Sequence, residues 1–479
     1  MLLPVLAVKG ARALLRRMCP ALARDMEFWS RVLPIYVQYK MTQQYTQRLV
    51  SDADRRDEIW TRKHAWGAKQ VYNLCTSMRG FYLKDGQFIG SRADFVPAAW
   101  CDELCRLQDR VPPVPFRCIE RTLCESFGVN TIQQIFSHVD QRALGSATIA
   151  QVHKAEWCGC AVVIKAQYAD QEALCRLDLK NLRKLAEFLQ STDFQFFDLI
   201  SVVCEFEQQI PLEFDFELEA RHMHTIATNL ARAEICPQLV CIPATVPGLV
   251  ARRAIVMEYM DGVRITERDT LEQWGIDRLR VVEALGHAYG QMLLVDGLFH
   301  ADCHEGNVFV LRDNRVALID FGNVKSINQE TRRALCAFYL AMANGDDERT
   351  GQLLFAMGIE LKGDLNDPSL LSKAALYANG LFDTRPLPLG VEINPFSSRS
   401  PLRTAPIKRF PAELFMVLRT MGLLRAFCVQ AGVRFAMSRA FEPYAMQGLS
   451  STTTPTKFPT PSKAQRLASR LRRFSLSSP

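Results

Sequence analysis

The sequence predicts an α+β fold in two lobes, a small β-rich lobe followed by a larger helical one, with a helical extension ahead of both. Three observations predict it. Helical periodicity dominates from about residue 27 to residue 127. The period then changes over residues 135–167, where short apolar and alternating runs read as strands. Helical pattern returns afterwards and is interrupted by two short apolar strands, Val308–Leu311 and Val316–Ile319.

The elements follow in order. Residues 27–50, with Phe28, Trp29 and Tyr36, form an aromatic-rich helical lead-in. The periodicity continues to about residue 83, where Lys84-Asp85-Gly86-Gln87 is expected to interrupt it. A short helix over 99–109 follows, Val111-Pro112-Pro113-Val114-Pro115 breaks the chain, and a further helix spans about 116–127. Ile149–Trp157 and Ala161–Lys165 read as two strands joined by a turn at Cys158-Gly159. Helical pattern covers 170–230, and the strand Ala254–Met260 precedes Asp261-Gly262. Residues 277–295 are helical, with Val281, Leu285, Ala288 and Met292 on one face. The remainder is helical apart from a loop at 385–411 with six prolines, and the last helical region ends near Leu449. The resulting units are a basic leader (1–26), the extension (27–134), the β-rich lobe (135–260), the helical lobe (261–449) and a Ser/Thr/Pro-rich basic tail (450–479).

Composition narrows the class. Apolar residues make up 48% and charged residues 23%, which suits a globular chain with ample core. A net charge of +7, spread along 479 residues, does not argue for nucleic acid. The 15 cysteines form no C-x-x-C pair and no metal-ligand spacing, which fits a reducing compartment. The longest uncharged stretch, 235–251, holds three prolines and cannot be a spanning helix, so no transmembrane segment is expected. The first 24 residues carry Lys9, Arg12, Arg16, Arg17 and Arg24 without an acid. That pattern resembles a mitochondrial transit peptide, or less closely a plastid one, and points to a soluble or peripheral protein there. Residues 463–474 of the tail have the pattern of a basic amphipathic helix, although a plain solvated tail fits as well.

The chemistry concentrates between residues 300 and 322. His300, Asp302 and Asn307 lie on a loop ahead of Val308–Leu311, and Val316–Ile319 runs directly into Asp320-Phe321-Gly322. Phosphoryl transfer from Mg-ATP needs such a set: Asp302 to orient the attacking group, and the Asn307 amide oxygen with the Asp320 carboxylate to hold Mg²⁺ on the phosphates. Upstream, Lys165 ends a Val-Val-Ile-Lys strand, where a fixed ammonium neutralises the α/β-phosphates. Its acidic partner is expected from Glu213-Phe-Asp215-Phe-Glu-Leu-Glu219, read as one helix with Asp215 and Glu219 on a shared face; Glu219 is the first choice and Glu213 the second. The loop Gly145-Ser146-Ala147-Thr148 should cover the phosphates, with one glycine where ordinary protein kinases have three. Glu258 and Met260 would form the hinge that reads the adenine edge.

These residues carry a resemblance. Lys84-x-Gly86-Gln87, the Ala-Thr-Ile-Ala-Gln-Val-His loop, Glu213-x-Asp215 and His300-Ala-Asp302-x-His304-x-Gly306-Asn307 together resemble the UbiB, or aarF-domain-containing, family of atypical kinases over about residues 28–449. The resemblance implies a protein-kinase-like fold whose helical extension folds over the cleft. It also implies that Lys84 and Gln87 point into the site, with Lys84 near Glu213 and Asp215, obstructing peptide substrates. The implied activity is ATP binding and hydrolysis in the service of coenzyme Q (prenylquinone) synthesis or lipid homeostasis. The implied partners are quinone or lipid intermediates, a membrane surface or a coenzyme Q synthesis complex. The chain departs from the family pattern at Gly145-Ser146, where alanines are usual, and at Cys303 and Glu305, where prolines usually stiffen the catalytic loop. A nucleotide-gated lipid-binding or scaffold protein without productive transfer is the alternative. A small-molecule kinase of the choline type shares the His-x-Asp loop but lacks the Lys-x-Gly-Gln element.

Overall fold

Helices broken by backbone geometry make up the extension. The computed structural model describes residues 18–90, 97–108, 113–192, 199–361, 368–385 and 407–450. The N-terminal part of the basic leader, most of the proline-rich loop, and the tail from residue 451 lie outside the described residues. So do the side chains of Lys84 and Gln87. Helices α1 (Pro20–Leu49) and α2 (Ala53–Met78) pack together, and α2 stops where Arg79 and Gly80 take positive φ, 53° and 61°. Helix α3 (Phe81–Gly90) begins there. This corrects the expected interruption at Lys84-Asp85-Gly86-Gln87, which instead lies inside α3. Gly86 is required for closeness rather than for a turn: a Cβ would sit 2.5 Å from Leu107 Cδ1 and 2.9 Å from Cys75 Sγ. Helix α4 (Ala98–Leu104) passes into a 3-10 turn that brings Leu104 and Leu107 against Phe28, Cys75 and Tyr82.

The small lobe is built on a hairpin. Helix α5 (Phe116–Phe127) buries Ile119 and Leu123 against the outer face of a sheet. That sheet contains β1 (His138–Val139), β2 (Gly145–Ser146), β3 (Ala150–Trp157) and β4 (Cys160–Gln167). Cys158 and Gly159, at φ 51° and 78°, make the β3–β4 turn, which fixes the register that sets Lys165 opposite Val152. Helices α6 (Gln171–Thr192), α7 (Leu199–Glu213) and α8 (Phe216–Arg232) follow. After β5 (Val240–Cys241), the chain adds β6 (Thr245–Ala251) and β7 (Ala254–Glu258), which complete the sheet in the order β1-β3-β4-β7-β6 with β2 beside β3. The segment Glu213–Glu219 is therefore not one helix. It breaks at Phe214-Asp215, because the Asp215 carboxylate accepts the Leu218 N–H at 2.9 Å and caps α8 instead of lying on its face.

The larger lobe is mostly helical. It opens with β8 (Gly262–Arg264) and α9 (Arg268–Gln273). Helix α10 (Arg278–Gly290) follows and widens into a π turn over Gln291–Asp296, with Val281, Leu285, Ala288 and Met292 all buried. Then come β9 (Leu298–His300), β10 (Val308–Leu311), β11 (Val316–Leu318) and β12 (Val324–Ser326). Antiparallel β10–β11 pairing and β9–β12 pairing fold the two functional loops onto each other. Helices α11 (Gln329–Ala343) and α12 (Asp347–Ala356), strand β13 (Glu360–Leu361), helix α13 (Pro368–Phe382), strand β14 (Ile407–Arg409), and helices α14 (Ala412–Ala431) and α15 (Met437–Ser450) complete it.

Among the described residues one helix, α14, is long and apolar enough to cross a membrane by length and composition. It packs as a core helix of the lobe: Val417, Met421 and Leu424 are wholly buried in its main cluster, and Arg425 donates to the Asn379 and Asp383 carbonyls.

Candidate active site

One lysine serves two carboxylates. Lys165, near the end of β4, donates to Glu219 Oε1 and Oε2 at 2.8 and 3.0 Å and lies 2.9 Å from Asp320 Oδ1. The ring of Phe216 sits 5.0 Å from the ammonium. Lys165 and Glu219 are almost fully buried, whereas the Asp320 side chain is 42% exposed. Burial works against every charge here. For Lys165 the attraction of Asp320 and then Glu219 prevails, and its pKa rises above the ordinary value. The same lysine holds the Asp320 carboxyl far below the carboxylate range against burial. Glu219 is pushed up, by burial first, because it shares its cation with a second carboxylate. Glu219 also accepts the Phe321 N–H at 3.2 Å, which ties the lysine pair to the Asp-Phe-Gly segment.

Asp320 is held in an uncommon backbone state, with φ at 62°. Its surroundings fix that state. His300 Nε2–H donates to the Asp320 carbonyl at 2.9 Å, which leaves Nδ1 to accept the Tyr289 hydroxyl at 3.3 Å. Burial lowers the His300 pKa, so the imidazole is neutral and acts as a brace. His222 Nδ1 lies 3.2 Å from the Phe321 carbonyl and braces the next residue.

Asn307 Nδ2 donates to the Asp302 carbonyl at 3.0 Å, and the Ile319 N–H donates to the Asn307 carbonyl at 3.0 Å. Asn307 is thereby set directly beside the strand that delivers Asp320. With its nitrogen committed, Oδ1 is the Asn307 atom that can meet a cation. Two hard oxygen ligands would suit Mg²⁺. The shared lysine also leaves two carboxylates on one ammonium, an excess of negative charge that would attract a divalent cation. No group of three or more His, Cys, Asp or Glu poised for a metal occurs among the described residues.

The other expected residues are placed as follows. Glu213 ends α7, and Lys165 pairs with Glu219 and Asp320. Asp215 caps α8. Gly145 and Ser146 pair with Val152 and Gln151, and the Ala147 N–H donates to the Ala150 carbonyl at 2.8 Å, which closes a tight turn through Thr148. The Ser146 hydroxyl meets the Tyr168 hydroxyl at 2.7 Å. A Cβ at Gly145 would meet nothing within 4 Å, so the fold itself does not demand a glycine there. Glu258 ends β7, and Met260 packs beside Cys241, Leu311 and Ala317. Lys84 and Gln87 lie on α3, which packs against α6.

Arg419 is the residue that sequence reasoning missed. From α14, Nη2 donates to Asp302 Oδ1 at 2.6 Å. Its one signal was a cation in a largely apolar helix, shared with Arg425, and such a cation must find a partner.

Residues 106–354 match the ABC1 atypical kinase-like domain, about half of the chain. The chain belongs to the ABC1 atypical kinase-like family. This is the UbiB or aarF-type family that the motifs resemble.

Among the relatives of this family member, an uncharacterized Synechocystis protein is 33% identical over 282 residues, covering 57% of this chain and 69% of that protein. The chloroplastic protein Activity of BC1 Complex Kinase 1 of Arabidopsis thaliana is 28% identical over 396 residues, 81% of this chain and 56% of its own length. AarF domain-containing protein kinase 1 of Gallus gallus is 26% identical over 382 residues, 78% of this chain and 72% of its own. The chain thus spans little more than half of the Arabidopsis relative. A Mycobacterium tuberculosis protein, solved with erythromycin, superposes with a TM-score of 0.53 at 22% identity, covering 83% of this chain and 100% of that one, and shows the shared fold.

Proposed function

We propose that this chain binds Mg-ATP in the cleft between its lobes and hydrolyses it, in the service of coenzyme Q (prenylquinone) biosynthesis or mitochondrial lipid homeostasis. The observation that carries the nucleotide reading is Lys165 shared between Glu219 and Asp320 at 2.8 and 2.9 Å. Lys165 would hold the α/β-phosphates, and Glu219 would keep the ammonium in place. Asn307 Oδ1 and the Asp320 carboxylate would hold Mg²⁺, which when bound neutralises charge on the phosphate oxygens. Asp302 would orient the attacking water and take its proton, as the bond from water oxygen to the γ-phosphorus forms and the bond to the β–γ bridging oxygen breaks. The Ser146–Tyr168 contact and the single glycine of the phosphate loop support slow turnover rather than protein-kinase rates.

The pathway and the organelle are read from the Lys-x-Gly-Gln resemblance, the basic leader, and relatives named as AarF domain-containing and chloroplastic kinases. A second reading, a nucleotide-gated lipid-binding scaffold, draws support from α3, which packs beside α6 and carries Lys84 and Gln87. Replacing Asp320→Asn should abolish Mg-dependent ATP affinity in a protein that still melts cooperatively; undiminished affinity would refute the site. ATP turnover measured with and without vesicles or phenolic quinone precursors separates the two readings. Turnover supports the ATPase, and binding without turnover supports the scaffold.

A further inference from the structure

Helix α14 reaches the catalytic loop through two side chains, and neither lies in the segment that matches the family domain. Arg419 Nη2 donates to Asp302 Oδ1 at 2.6 Å, and Nη1 donates to the Ala301 carbonyl at 3.1 Å. About three turns further along the helix, Gln430 Nε2 donates to Glu305 Oε2 at 3.0 Å. These tethers fall on the part of the loop where the family pattern has prolines and this chain has Cys303 and Glu305. A proline restricts φ by covalent geometry. A loop without it needs contacts to hold one conformation against the entropy of the alternatives.

We propose that Arg419, supported by Gln430, is a positioning residue that locks the catalytic loop from α14 and aims the Asp302 carboxylate at the nucleophile. The planar guanidinium suits this role. One fork grips a side-chain carboxylate and the backbone carbonyl before it, so both the rotamer and the peptide plane are fixed together, which a lysine cannot do. Arg419 and Asp302 are each 27% exposed, so the pair contributes geometry more than stability. The anchor is itself rigid: Val417, Thr420 and Met421 around it are wholly buried. Because α14 sits outside the matched domain, the helical region beyond residue 354 becomes part of the catalytic unit rather than an appendage.

The inference rests on the nucleotide reading for its catalytic half, so two measurements on the full chain are paired. Turnover of ATP and equilibrium binding of a fluorescent ATP analogue with Mg²⁺ are compared for wild type, Arg419→Ala, Arg419→Lys and Gln430→Ala. Arg419→Ala should lose about 10²-fold in kcat while nucleotide affinity stays within about twofold. Arg419→Lys should recover part of that loss, and guanidinium ion, unlike potassium, should partly restore Arg419→Ala. Amide hydrogen exchange over residues 301–307 should quicken in both Arg419→Ala and Gln430→Ala, and this holds whether or not the protein turns ATP over. Unchanged or raised kcat in Arg419→Ala, or unchanged exchange in that loop, overturns the proposal. If wild type neither binds nor hydrolyses Mg-ATP, the nucleotide reading falls, and the exchange data still decide whether α14 holds the loop. Should Arg419→Ala fail to fold, Arg419→Lys and Gln430→Ala carry the same comparison.

Discussion

Arg24 on the first helix of the extension donates through Nη2 to the wholly buried carboxylate of Asp178 on α6 at 2.7 Å. The same carboxylate accepts the Phe81 N–H at the start of α3. One acidic side chain therefore joins the small lobe to both the lead-in helix and the helix that carries Lys84 and Gln87. Burial pushes the Asp178 carboxyl up despite its cation, so the contact secures position more than net stability.

Removing that carboxylate tests the joint. Asp178→Ala leaves a largely buried guanidinium unpaired and should cost roughly 3 kcal/mol in urea unfolding. Amide exchange over Phe81–Gly90 should quicken, while the β3–β4 hairpin keeps its protection. Equal protection of Phe81–Gly90 in wild type and variant would show that α3 is held by other contacts.

Gly86→Ala sets helix propensity against packing. Propensity alone predicts a gain of about 1 kcal/mol at a mid-helix glycine. The new Cβ would meet Leu107 Cδ1 at 2.5 Å and Cys75 Sγ at 2.9 Å, inside a buried cluster. Overpacking of this kind costs about 1–3 kcal/mol, so thermal unfolding should show a net loss. A raised melting temperature would mean that α3 can shift away from Leu107.

Ser146→Ala and Tyr168→Phe should behave alike. Each removes the 2.7 Å contact between the two hydroxyls, and each should cost about 1 kcal/mol of stability. Nucleotide affinity, measured by fluorescence titration, should change little in either. A large affinity loss confined to Ser146→Ala would assign that hydroxyl to phosphate instead.

The charges of the site should tie stability to pH in acid and in base. The depressed Asp320 carboxyl contributes stability that is present above its ordinary pKa of 3.8 and is lost as acid overtakes it. The raised Lys165 contributes stability that is complete below its ordinary 10.5 and fades as pH climbs beyond it. Glu219, pushed up, acts in the opposite sense to Asp320 and opposes the fold as pH rises past 4.5. Wild type minus Lys165→Met stability, followed by denaturant titration, should thus shrink as the pH rises past 10.5. A difference that does not shrink there would mean that the lysine does not carry the charge assigned to it.

Much of this protein was legible in its residues alone. The α+β class in two lobes follows from changes in hydrophobic period, and the candidate groups Asp302, Asn307 and Asp320 were singled out as residue types that phosphate and magnesium would require. Local rules also placed the Cys158-Gly159 turn. Tertiary packing decided what those rules could not reach. Gly86 looks like a helix breaker until Leu107 arrives beside it, and then the missing side chain permits a helix. Asp215 looks like one carboxylate on a helical face until its bond to the Leu218 N–H makes it a cap. Arg419 is far from residue 302 in the chain, and only the closing of α14 over the loop turns an apolar-helix cation into a clamp. Periodicity and residue chemistry are local properties, whereas a contact between distant segments depends on how every intervening element packs.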